Sequence, residues 1–414
     1  MTICVVDQHF SLNKILLRAV ALWPYRRTKL IDFHLFLVLV ILISFILVQL
    51  TTFLTTEWTS DVAIKILSSA LYSTIYVVKY NSFWFNANTI RCLFEKFQYI
   101  YDELTDDSEI AIIKEYGHEA KRFTILMSLS GVFSSITMCL LPIFPRILGI
   151  FMSINVSEEH FMIHIPREYF IDQEKYYYCI LLHMDVSFFM GAMILVATGT
   201  LIFSCIKYIC GLFRIASCRI DQTVECPMFQ SAGLSKDFIL YKKIVHAIDI
   251  HRKAIELCDM LKSNFVGTCF LLVLVGVISL SLNLYGLHQA MMLGSATEEY
   301  LVYVKCMLVI LIYMFVGNYI GQEIADHHNH MFISIYNIKW YVTPLYIQRI
   351  ILFLLQRGTR NFQIVVGGLF VVSMESATMV SLCHIISSYK ITSYNNLQIS
   401  MNYANNQCKM CFSC

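Results

Sequence analysis

Residues 33–53 read FHLFLVLVILISFILVQLTTF, twenty-one positions with no acidic residue and no Lys or Arg. A helix rises about 1.5 Å per residue and a bilayer core is about 30 Å thick, so roughly 20 apolar residues make one crossing. In water such a run would need cover on every side. Lipid is the solvent that fits it.

Working outward, comparable runs lie near 123–144, 178–206, 266–288 and 301–320. A further span is expected at about 63–85, with Lys65 and Lys79 toward its ends, where both could snorkel to the headgroups. The seventh, about 365–389, is the most polar. Over the whole chain 57% of residues are hydrophobic and 14% charged, with mean hydropathy +0.62. The expectation is an all-α membrane protein: one seven-helix transmembrane domain over 1–390, then a disordered extracellular tail at 391–414. The 16 Gly and 6 Pro and the lack of alternating polarity argue against a barrel. A net charge near +2 suggests no nucleic-acid partner. No glycine-rich phosphate loop or catalytic constellation stands out, so no enzyme and no cofactor are expected. Residues 1–32 hold five Lys and Arg and no clean apolar core before a cleavage site, which does not read as a cleavable signal peptide.

Lys and Arg accumulate on the cytoplasmic side of membrane proteins. With a cytoplasmic N-terminus, the inner connections carry 23 of them and the outer ones 5. The extracellular C-terminus that follows is the reverse of a G-protein-coupled receptor. The one Asn-x-Ser/Thr sequon, at Asn155, then falls outside and is the candidate glycosylation site. From 238 to 264, Leu240, Ile244, Ile248, Ile255 and Leu261 recur near helical spacing. A helix therefore runs unbroken into the fifth span, and the sixth continues past Gln322 toward Trp340. Such extensions suit a cytoplasmic bundle or a subunit interface, or simply a solvated face.

Four stretches carry a resemblance: NKILLRAVALWPY (13–25), GLFRIASCRI (211–220), FVGNYIGQEIADHHNHMFISIYNIKWY (315–341) and GGLFVVSMESATMV (367–380). In order and spacing the chain resembles the insect odorant receptors, seven-span ligand-gated cation channels of inverted orientation. The likeness implies a ligand-specific subunit that works with a shared co-receptor in a heterotetramer, in the plasma membrane of olfactory neuron dendrites. It also implies a last span that lines the pore and a volatile organic ligand held in the outer half of the bundle. A gustatory receptor-type channel is the alternative, and a G-protein-coupled receptor or a transporter are more distant ones. The tail ending in Cys408, Cys411 and Cys414 departs from the family's pattern.

An odorant site wants aromatic and apolar walls with a few polar groups. The outer halves of the spans offer Ser69, Tyr72, Ser73 and Tyr76; Phe133, Ile136 and Thr137; His183, Met184, Ser187 and Phe188; and Tyr303 and Met307. Each also suits plain helix packing. Lys305 is expected to snorkel. In the seventh span Ser373, Ala377, Ser381, His384 and Ser388 fall within about 80° of one helical face. That stripe suits a wetted pore wall, with Val380 and Ile385 as an apolar gate, or close helix packing through small residues. Glu375, on the opposite face, is expected to bond inside the bundle. Asp326, His327, His328 and His330 are expected on a solvated helix face rather than as metal ligands, and Cys139 and Cys179 are left open as a pair.

Overall fold

The structure, a computed structural model, describes residues 5–25, 28–56, 59–140, 168–172, 175–224, 234–293, 297–338, 340–358, 362–368, 370–376 and 378–379. Asn155, Ala377, Val380, Ser381, His384, Ile385, Ser388 and the whole 391–414 segment lie outside them.

The first sequence run becomes α3, Lys29–Thr55. Its buried residues, Leu35, Val38, Leu42, Phe45, Gln49 and Thr52, step by three and four along one stripe. Phe36, Leu37, Val40, Ile43, Leu47 and Leu50 stay exposed on the other faces. A soluble protein does not leave so continuous an apolar surface open. The same pattern recurs on α6 (Asp107–Leu140), α8 (Leu234–Leu293) and α9 (Thr297–Asn337). With α4 (Ser60–Phe85) and α7 (Tyr177–Val224), they are the six described helices long and apolar enough to cross a membrane. The chain is a multi-pass membrane protein.

The spans alternate in direction, so the bundle has two ends. One, here the base, carries α1 (Val5–His9), α2 (Ser11–Ala19), α5 (Ala87–Glu103) and α10 (Leu345–Gly358); the other is the crown. At 60 residues α8 is about 90 Å long, three times the hydrocarbon thickness. It runs unbroken, as the 238–264 periodicity required, and Ile244, Ala247, Ala254 and Leu257 pack its lower half into the core.

The Trp-Pro motif has a packing reason. Trp23 and Phe10 meet Phe94 of α5 with ring centroids 5.7 and 5.1 Å apart. Buried Asn13 donates to Thr200 Oγ1 on α7 at 3.1 Å, and Tyr80 OH of α4 donates to the Val20 carbonyl at 3.0 Å. Both of these buried polar groups have a partner, as burial demands. Ion pairs close the base. Arg219 of α7 forks onto both oxygens of Glu109 at 2.6 and 2.8 Å. Lys207, also on α7, reaches Glu119 of α6 at 2.7 Å and Glu323 of α9 at 2.5 Å. Lys253 meets Glu103 at 2.5 Å, and its ammonium, with the Tyr99 hydroxyl, holds the Glu103 carboxyl below its usual range.

Three expectations change here. The stretch from 365 does not begin as a helix. Val365–Val366 (β1) and Phe370–Val371 (β2) pair antiparallel, Val365 with Val371 and Val366 with Phe370. Between them Gly367 and Gly368 sit at φ +63° and +70°, where a side chain is strained. A Cβ on Gly367 would also lie 2.2 Å from the Phe270 ring, so the glycine pair turns the chain against α8. His327 and His328 are not on a solvated face. His327 Nε2 bonds Tyr116 OH at 2.6 Å, and His328, buried, stacks on Phe362 at 4.5 Å; Asp326 and His330 are exposed. Finally, of the two lysines toward the ends of α4, Lys79 does not reach outward. Lys65 pairs with buried Glu299 of α9 at 2.6 Å, and Lys79 is itself only 9% exposed.

Candidate functional site

In the crown half, α4 presents one face inward through Tyr72, Ser73 and Tyr76, all buried, with Ser69 half-buried above. The Tyr72 and Tyr76 rings meet edge to face, centroids 5.3 Å apart. Opposite stands α7. Its Gly191 lies so close to Tyr76 that a Cβ would come within 2.3 Å of the ring. Across α9, Tyr303 is buried against Gly286 of α8, where a Cβ would come within 2.7 Å of its ring; Met307 is partly buried one turn on. Two tyrosines thus sit in places that glycines keep open.

The other α7 candidates gather beside α3. His183 is held at both ring nitrogens, by Ser44 Oγ at 3.0 Å and Tyr169 OH at 2.7 Å. Phe45 meets the His183 ring at 6.2 Å and the Phe188 ring at 5.1 Å. Met184 is buried with Phe45, Met138 and Ile180 in a small separate apolar cluster. Buried Ser187 donates back to the His183 carbonyl at 2.7 Å, so its hydroxyl is spent within its own helix. On α3, fully buried Gln49 makes one long contact, Nε2 to Ser73 Oγ at 3.5 Å, and its Oε1 has no hydrogen-bond partner.

The α6 candidates are placed differently. Phe133 and Ile136 are exposed, and Thr137 Oγ1 bonds carbonyls of its own helix. Their neighbours Ser135 and Met138 are the buried ones, so the inward face of α6 is turned about one position from the expected one. Lys305 does not snorkel; it donates to the Ser134 carbonyl at 2.6 Å. The sequence reading missed Ser44, Phe45 and Gln49 because α3 is apolar on all sides, though an amide in such a run was a signal. Gly191 and Gly286 carried none.

The second part of the site is the start of the last helix. Ser373 Oγ accepts from Ser376 N at 3.2 Å, the N-cap bond of a helix beginning at 374. Ser373 therefore caps the helix rather than opening a wall along it. Its own N–H donates to Asn318 Oδ1 of α9 at 3.1 Å. One turn on, Gly321 lies against Val372, where a Cβ would come 2.6 Å from the carbonyl oxygen. Glu375 is exposed in the first turn, where a carboxylate suits the helix dipole, rather than bonded inside the bundle. A cavity of about 140 Å³ adjoins this junction, lined by Gln322, Asp326, Asn329, Phe362 and Val372 among others. Helix α9 therefore carries Tyr303 and Met307 at the crown and grips the last helix through Asn318 and Gly321.

A family model described as 7tm Odorant receptor matches residues 59–383. No curated protein matches the chain. Among solved structures, the insect olfactory receptor OR5 from Machilis hrabei in complex with eugenol superposes with a TM-score of 0.73, covering 93% of this chain and 99% of its own at 14% identity. A further structure of that receptor gives 0.68 over 92% and 97% at 13% identity. At these identities the likeness is one of fold.

Proposed function

The chain belongs to the 7tm odorant receptor family, and from that premise we propose that it is a ligand-specific subunit of an odorant-gated cation channel. A volatile organic molecule binds in the crown among Tyr72, Tyr76, His183, Phe188, Tyr303 and Met307. The base is cytoplasmic, the crown and C-terminus are extracellular, and a co-receptor subunit completes a tetramer in the plasma membrane of the sensory dendrite. The last helix lines the pore, with Val380 and Ile385 at its constriction and Ser381, His384 and Ser388 on its wetted face; Asn155 is glycosylated. Lysine and arginine placement supports the orientation, and eugenol in the Machilis hrabei receptor supports a small organic ligand.

One observation carries the mechanism: unbroken α9 joins the crown tyrosine to the junction with the last helix. A ligand that binds better when α9 is displaced shifts the population toward that arrangement. The Asn318–Ser373 bond and the Gly321–Val372 contact then carry the last helix away from the pore axis. Differential affinity is the whole driving force.

The test is to express the chain with the co-receptor and record odour-evoked cation current while G-protein signalling is blocked. Current that persists under the block is expected. Current abolished by it would replace the channel reading with a metabotropic one.

A further inference from the structure

The four lysines of α4, α7 and α9 differ in one respect. Lys207 has Glu119 and Glu323, Lys65 has Glu299, and Lys305 has the Ser134 carbonyl. Lys79, 9% exposed in the middle layer, has no hydrogen bond or ion pair among the described residues. Its Nζ lies 4.4 Å above the Tyr313 ring of α9. A ring face attracts an ammonium but takes up none of its N–H bonds. Beside it, the Tyr313 hydroxyl is buried with no partner. Gly199 of α7 leaves room for that hydroxyl, since a Cβ there would be 2.8 Å from it. The nearby Ser82 and Thr268 hydroxyls satisfy each other at 2.8 Å.

A buried phenol hydroxyl without a partner, beside an ammonium that meets a ring face and no acceptor, is costly unless something supplies one. Tyr72, Tyr76 and Lys79 step by four and three, so they share one face of α4. Lys79 is thus the floor beneath the two crown tyrosines. Tyr313 forms the same floor from α9, the helix that supplies Tyr303 and Met307 above.

We propose that Lys79 and Tyr313 are the polar floor of the ligand site and take an oxygen-acceptor head, a carbonyl or a carboxylate, whose apolar tail extends up along Tyr76 and Tyr72. This rests on the crown reading above. It assigns a ligand class: amphiphiles with one oxygen acceptor at the end, ahead of plain hydrocarbons of equal length. The head neutralises or solvates the ammonium, and the aromatic walls select the tail.

The experiment measures binding of heptane, heptanone and heptanoate to the purified full-length chain, for wild type, K79M, K79R, Y313F and Y76A. Wild type is expected to bind the ketone or the carboxylate about tenfold or more tighter than the alkane, as for a buried hydrogen bond to a charged group. A preference for carboxylate alone marks an acid site, and one for both marks a general acceptor site. K79M abolishes the preference and K79R keeps it. Y313F lowers it about two- to tenfold and serves if K79M does not fold. An alkane bound as well as the oxygenated probes, or a preference that survives both K79M and Y313F, overturns the proposal. Y76A tests the crown separately: it should weaken all three probes alike. A head preference that depends on Lys79 while Y76A changes nothing would keep the floor and reject the crown as the tail's place.

Discussion

The base and the crown of the same bundle differ in how densely their charges are paired. At the base, charges from distant parts of the chain meet in close pairs: Arg219 with Glu109, Lys207 with Glu119 and Glu323, Lys253 with Glu103. In the crown and the layer beneath it the described residues show one such pair, Lys65 with Glu299. Buried polar atoms without a hydrogen bond occur at both ends, on Gln49, His288 and Tyr313 above and on Gln8, His9 and Glu323 below, and glycines bring side chains close at both. Paired groups fix one geometry. Unpaired groups beside aromatic walls keep binding capacity in reserve, at a cost in stability that an apolar residue would not carry. The base is thus the end more heavily cross-braced by ion pairs.

The largest expected effect is at the base. Lys207→Ala leaves Glu323, which is largely buried, facing Glu119 with no cation between them. A stability loss of about 3–5 kcal/mol is expected, measured as a fall in the thermal midpoint of the purified protein and in its amount at the cell surface. A loss below that of a surface charge would erase the contrast between the two ends. Next, Gly191→Leu drives a side chain into Tyr76. Overpacking costs about 1–3 kcal/mol, and ligand binding should fall while surface expression largely survives; binding that is untouched would move the site away from α4 and α7. Smaller still is Gln49→Leu, which removes a poorly satisfied buried amide. Stability should change by about 1 kcal/mol or less, in either direction, whereas a loss as large as that of Lys207→Ala would show that the crown amide is structural.

The smallest effect is one of pH. Burial holds His9 of α1 down to about 4 from its usual 6.5, and the nearby positive groups His118 and Lys114 add to it. Between those values the unfolded chain binds more protons than the folded one, so stability declines as pH falls from about 6.5 toward 4. Above pH 7 it is flat in this group. His9→Gln should flatten the decline in thermal unfolding scans; an unchanged slope would assign it to other groups.

Much of this was legible in the chain. Length and polarity of the runs located six spans, because a bilayer imposes a minimum that no soluble helix must meet. The base extension of α8 was visible in the spacing of Ile244, Ile248 and Ile255. Register was less so. Phe133 and Ile136 look the same from sequence whether they face lipid or a cavity, because lipid removes the polar face that marks the outside of a soluble helix. The hairpin at 365–371 was hidden by β-branched residues that also suit a transmembrane helix, and its signal was the Gly367–Gly368 pair. Lys79 was read as a residue with access to headgroups because sequence shows distance from a helix end and not which face is covered. The burial of His328 was hidden by its neighbours: Asp326 and His330 beside it are exposed, and it is the packing of Phe213, His251, Phe332 and Phe362 around His328 that tells them apart.

The central claim is that α9 carries ligand occupancy in the crown to the start of the last helix. The direct measurement compares ligand affinity and ligand-evoked current for Gly321→Ala and Asn318→Ala, in the full chain with its co-receptor. Affinity close to wild type with current largely lost is the expected result. Current that persists in both variants, or that falls only in step with affinity, would contradict it.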